Sequence, residues 1–225
     1  MDPLLTFPEA RVLGCLLEKE ATTPDYYPMT LAALVAACNQ LTNREPVVAY
    51  EEADVDEALA GLRRKKLAAM MHLAGSRAPK YKHLAADYFP GLQKPERALL
   101  TVLLLRGAQT VAELRARTER MHAFPDPEAV EASLQRLKDW QDGPLVAFHP
   151  PGGGRRVATW APLLFPEPAS TPGDTPGGRP DGPAAAPVPV ADWRTSMEQE
   201  MAELRARLTA LESALGIGPG SAPPA

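Results

Sequence analysis

One pattern of apolar residues occurs twice in this chain, and that repetition limits its architecture more than any other feature. Val12, Leu13, Leu16 and Leu17 recur as Leu99, Leu100, Leu103 and Leu104, each set following a Pro-Glu pair, Pro8-Glu9 and Pro95-Glu96. Thr30-Leu31-Ala32-Ala33-Leu34 is echoed by Thr110-Val111-Ala112-Glu113-Leu114, and Val55, Leu59 and Leu62 by Val130, Leu134 and Leu137. Matched helical stripes in one order, at slowly shrinking offsets, make a tandem repeat of a single unit.

The first copy gives the unit its shape. Thr6-Phe7-Pro8-Glu9 is a capping box with proline in the first turn, a strong helix start. Ala21 to Met29, broken by Pro24 and Pro28, reads as a loop, and Thr30 caps a short second helix on Leu31, Leu34 and Val35. A third helix on Val55, Ala58, Leu59 and Leu62 has Asp54 as its expected cap and ends in Arg63-Arg64-Lys65-Lys66, where the helix dipole favours cations. The period then changes: Leu67 to Leu73 and Lys80 to Leu84 read as strands around the turn Gly75 to Pro79. In the second copy Leu145 to Phe148 and Arg156 to Leu164 flank a Pro150-Pro151-Gly152-Gly153-Gly154 turn. Three helices and a hairpin describe a winged helix. The fold class expected is mostly α with small β wings (α+β), in tandem winged-helix domains at 1–90 and 91–165.

Past Phe165 the material differs. Residues 166–190 are mostly Pro, Gly, Ala and Ser, a disordered linker by composition. Over 191–216 the apolar residues Met197, Met201, Leu204, Leu208, Leu211 and Leu215 alternate four and three apart, a coiled-coil seam, and 217–225 is a frayed tail. So short a helix is weakly stable alone, and homodimerisation through it is the reading preferred over folding back onto the domains.

Charge follows the same division. The net charge of −4 resides in the tail: Met1 to Phe165 holds 20 Lys+Arg against 20 Asp+Glu, and Pro166 onward 4 against 8. A neutral globular part can bind DNA through a local basic patch. Two cysteines, Cys15 and Cys38, do not suggest a disulfide framework. There is no membrane-length apolar run and no secretory pattern at the N-terminus, so a cytoplasmic location is expected.

The stretch from Cys38 to Val47 (Cys-Asn-Gln-Leu-Thr-Asn-Arg-Glu-Pro-Val) lies between the second and third helices. Asn39 and Asn43 are suited to capping helix ends and Pro46 to stopping the second helix, a structural turn, while Arg44 suits either a nearby acid or a phosphate. This stretch resembles the YceH-like family of uncharacterised bacterial proteins. So do Glu9 to Glu20, Thr23-Pro24-Asp25, Tyr27-Pro28, Lys80-Tyr81-Lys82-His83 and Arg120-Met121-His122-Ala123-Phe124, the likeness covering about residues 4–164. The resemblance implies a tandem winged-helix architecture and leaves function open.

Two binding functions fit the chain. Arg63, Arg64, Lys65, Lys66, Arg77, Lys80 and Lys82, uninterrupted by any acid, would line one side of the first domain and, with Arg44, meet the phosphates of double-stranded DNA, giving a DNA-binding and regulatory role. Against this stand Glu51, Glu52, Asp54, Asp56 and Glu57 at the start of the helix expected to enter the groove. The alternative is a protein-interaction scaffold without DNA binding. Tandem winged helices act so in the chromosome-segregation subunit that binds a kleisin, a fold-level analogy. The second copy, with no basic cluster on its third helix, is expected to pack on the first or on a partner. No catalytic residues, metal site or cofactor are expected: Gly152-Gly153-Gly154 lacks a following Lys-Ser/Thr, and the four histidines stand singly without ligand spacing.

Overall fold

The computed structural model describes residues 4–72, 78–152 and 156–166; the linker and C-terminal helix lie outside the described residues. In the first copy, helix α1 (Phe7–Thr22), a short 3-10 turn (Pro24–Tyr26), α2 (Leu31–Cys38) and α3 (Glu52–Arg64) precede the hairpin β1 (Ala68–Met71) and β2 (Lys80–His83). A short α4 (Ala85–Tyr88) leads into the second copy: α5 (Lys94–Arg106), α6 (Val111–Thr118), α7 (Pro127–Lys138), β3 (Val146–His149) and β4 (Thr159–Pro162). The chain thus repeats three helices and an antiparallel hairpin, an α+β arrangement.

The helix starts follow from their caps. Thr6 and Glu9 form the expected capping box, Thr30 accepts from the Ala33 N–H, and Thr110 with Glu113 forms a second box. Helix α3 differs from expectation: Glu51 is its N-cap, and Asp54 reaches back to the Glu51 N–H at 2.8 Å. A carboxylate three residues into the helix does for the cap backbone what a cap side chain would do for the first turn.

The end of the Ala21–Met29 loop also pairs with the hairpin through an isolated bridge. Met29 and Tyr81 exchange both backbone hydrogen bonds, and Gln109 and Trp160 do the same in the second copy. Each two-stranded hairpin is therefore joined by an isolated bridge just ahead of its Thr30 or Thr110 cap. One bridge leaves no alternating run of residues, so periodicity could not reveal it.

Both copies share one hydrophobic core within the compact unit Met1–Pro176. Helices α1 and α5 cross at its centre, with Gly14 against Leu104 and Leu105. The end of the second copy closes on the start of the first: the Leu5 N–H donates to the Leu164 carbonyl at 2.7 Å, and Phe7 packs on Phe165. The second copy packs on the first, one of the two arrangements expected for it.

Each copy also buries a glutamate at the start of its first helix. Glu9 is ion-paired with Lys65, and Glu96 with Arg136 at 2.5 Å. In the first copy Gly61 makes room for the Glu9 carboxylate. In the second copy Arg136 reaches Glu96 from α7 itself, with Ser133 bonded to its guanidinium at 2.8 Å. The same buried charge is thus matched in different ways in the two copies.

Candidate functional site

The loop joining α2 to α3 is organised from beneath by two buried arginines. Arg11, from α1, donates to the Cys38 carbonyl at 3.3 Å and the Pro46 carbonyl at 2.7 Å while its guanidinium lies over the Phe7 ring. Arg44 points inward from the loop. Its Nε donates to the Ala37 carbonyl, and its two terminal nitrogens grip both oxygens of Glu18 at 3.1 and 2.7 Å and reach the Asn43 carbonyl and Gln40 Oε1. Only 3% of Arg44 is exposed, so it is not available to a phosphate. Burial opposes the charge of Arg44, but the Glu18 hydrogen bonds and the neighbouring anionic groups together raise its pKa; burial likewise opposes the charge of Glu18, but Arg44, with Lys19, lowers its pKa.

Asn39 and Asn43 hold this loop in place; α2 ends at Cys38, well before Pro46, so Pro46 does not stop that helix but offers its carbonyl to Arg11. Asn39 is the C-cap residue of α2, and its side chain exchanges two hydrogen bonds of 2.8 Å with the Tyr50 backbone, closing the neck of the loop. Asn43 adopts a left-handed conformation (φ 62°) and accepts from Arg106 of α5 at 2.6 Å rather than capping a helix. The Glu45 N–H donates to the Leu105 carbonyl and its carboxylate pairs with Arg106 at 2.7 Å. The stretch is therefore a clamp between the two copies. Beneath it lie Cys15 and Cys38, both buried; the Cys15 hydrogen bond and burial raise the Cys38 pKa.

The proposed DNA face divides. Lys65 is turned to Glu9, and Arg77 lies outside the described residues. Arg63, Arg64 and Lys66 are exposed at the end of α3, and Lys80 and Lys82 are half-buried on one side of β2; none of the five is ion-paired to a described residue. At the other end of α3, Glu51, Glu52, Asp54, Asp56 and Glu57 are all exposed and none has a cation partner among the described residues. Helix α7 repeats the pattern with Asp126, Glu128 and Glu131 exposed. The candidate dimerisation residues Met197 to Leu215 lie outside the described residues.

His83 sits where the hairpin meets α1. Its Nδ1 accepts from the Ala85 N–H at 3.3 Å, which leaves Nε2 to donate to Glu20 at 2.9 Å, and its own N–H donates to the Tyr27 hydroxyl. Burial lowers its pKa; Glu20 opposes that, while Arg97 and Lys82 add to it. A depressed histidine adds stability that is fully present above the ordinary value near 6.5 and lost as pH falls through the folded value. The thermal midpoint is expected to fall from pH 7 to pH 5, and to fall less in His83→Gln, whose amide can still donate to Glu20. Equal slopes for the two proteins would reject this role.

Among the described residues no group of three or more His, Cys, Asp or Glu is placed to hold a metal, and no helix is long and apolar enough to cross a membrane. Comparison with known proteins adds the family. A family model described as "Protein of unknown function, DUF480" matches residues 5–155. A UPF0502 protein of Pelobacter propionicus is 51% identical over 164 residues, 73% of this chain and 74% of that protein. One of Opitutus terrae is 44% identical over 203 residues, 90% of this chain and 84% of its own length. One of Vibrio parahaemolyticus is 41% identical over 216 residues, 93% of this chain and 95% of its own. The last two alignments run past the repeat, so the C-terminal segment is not peculiar to this chain. The resemblance read from the residues is borne out, and the chain belongs to the DUF480 family of UPF0502 proteins.

Proposed function

We propose that this protein is a non-enzymatic binding module whose paired winged helices engage protein surfaces. The exposed start of α3 carries the argument. A groove-reading helix presents its first turns to base edges between two rows of phosphates. Here those turns present Glu51, Glu52, Asp56 and Glu57, with no cation partner among the described residues. Each would be brought near phosphate and repelled. Arg44 and Lys65, which would have offset them, are engaged by Glu18 and Glu9.

A DNA-binding, regulatory role is the second reading, supported by Arg63, Arg64, Lys66, Lys80 and Lys82, none of them ion-paired among the described residues. Fluorescence anisotropy on a mixed-sequence duplex over a salt series separates the two. On the protein-binding reading the wild-type chain binds weakly, and Glu52→Lys plus Asp56→Lys raises DNA affinity about tenfold or more by replacing repulsion with attraction. Tight binding by the wild type, steeply weakened by salt and lost in Arg64→Glu plus Lys80→Glu, would establish the DNA reading instead.

A further inference from the structure

Beyond Glu52 and Asp54 of its first turn, the four exposed charges of α3 are arranged symmetrically about Ala60. Asp56 and Glu57 stand four and three residues before it, and Arg63 and Arg64 three and four after. All four are exposed and Ala60 is half-buried, while Val55, Ala58, Leu59 and Leu62 on the opposite face are in the core. At 100° per residue these five residues, with Ala53, fall on one strip of the helix surface. Small residues at 53 and 60 run along its middle.

The spacing keeps these charges from neutralising one another. Ion pairs within a helix form three or four residues apart, yet every acid-to-base separation among the four is six to eight residues. Nor does the helix dipole account for them all, since its effect fades within the first turn and Asp56 and Glu57 lie beyond it. A surface with acids on one side of a centre and bases on the other is complementary to itself turned end for end.

We infer that α3 is an isologous docking surface for a second copy of this chain, packed antiparallel on α3 of the first with Ala60 at the two-fold axis. Helix geometry then sets Arg63 of one copy beside Asp56 of the other and Arg64 beside Glu57, and symmetry repeats both pairs. Alanine at the crossing permits the close helix approach, about 8–10 Å between axes, that these pairs need. The inference rests on the protein-binding reading of α3 and names the partner. It is separate from any pairing through the C-terminal helix, which would leave the α3 faces apart.

The test uses the full-length chain carrying Ala60→Cys and a short bismaleimide crosslinker. Cys15 and Cys38 are buried and do not compete under native conditions. A covalent dimer through position 60 is expected. Its yield should fall about tenfold or more both in Arg63→Glu plus Arg64→Glu and in Asp56→Lys plus Glu57→Lys, because each places like charges face to face. An equimolar mixture of the two variants, refolded together, should restore it, since every facing pair is then opposite in sign. Circular dichroism melts confirm that the variants stay folded. No dimer through position 60, or a yield indifferent to these reversals, overturns the inference. A failed crosslink beside weak DNA binding leaves the protein-binding reading in place for a different partner; tight DNA binding rejects that reading itself.

Discussion

Arg44→Ala should destabilise the chain by about 3–5 kcal/mol, because it removes one member of a buried ion pair and deprives the other of its bidentate partner. The side chain of Arg44 is 0% exposed and that of Glu18 14%. Without the guanidinium, Glu18 keeps among the described residues only Lys19, at 3.3 Å, as a cationic partner. The Ala37 carbonyl and Gln40 also lose their donor. Glu18→Gln should be milder, since Arg44 keeps its bonds to Ala37, Asn43 and Gln40. The double variant should lose less than the two single losses added, as groups in one network do. Urea denaturation of the four proteins measures this. A loss under 1 kcal/mol in Arg44→Ala would mean that the pair is solvated and that Arg44 remains available to a ligand.

The same residue marks where sequence reasoning stopped. An arginine in a polar loop can be read as a surface group, since isolated arginines are seldom buried. The acid that draws it inside lies on α1, 26 residues earlier, and no spacing rule links the two. Lys65 misled in the same way, since its partner Glu9 is 56 residues away. Glu9 itself was legible as half of a capping box, though its second bond was not. The Thr6, Thr30 and Thr110 caps and the apolar stripes were legible because each depends on residues within a turn or two. Long-range polar pairing was not, and that pairing decides which charges reach the surface. Of the candidate cations, Arg63 and Arg64 remain exposed for the local reason that they end an amphipathic helix whose other face is apolar.

Gly14→Leu should cost about 3 kcal/mol, at the upper end of what overpacking a core costs, because α1 and α5 have no space between them at that point. A Cβ at residue 14 would lie 2.9 Å from both Cγ and Cδ2 of Leu105 and 3.2 Å from Cβ of Leu104. Cβ and Cγ are anchored near the backbone, so relief requires the helices to separate. Gly14→Ala offers a graded control: alanine gains about 1 kcal/mol of helix propensity over glycine, so any net loss measures the closeness of the crossing. Since both copies share one core through this crossing, they should unfold together. Trp140 and Trp160 report on the second copy once Trp193 is replaced by phenylalanine, and circular dichroism reports on all helices. The two signals should move to lower urea in one coincident transition. A tryptophan midpoint that stays in place while the dichroism transition splits would show that the copies fold independently and that the crossing is only a contact between finished domains.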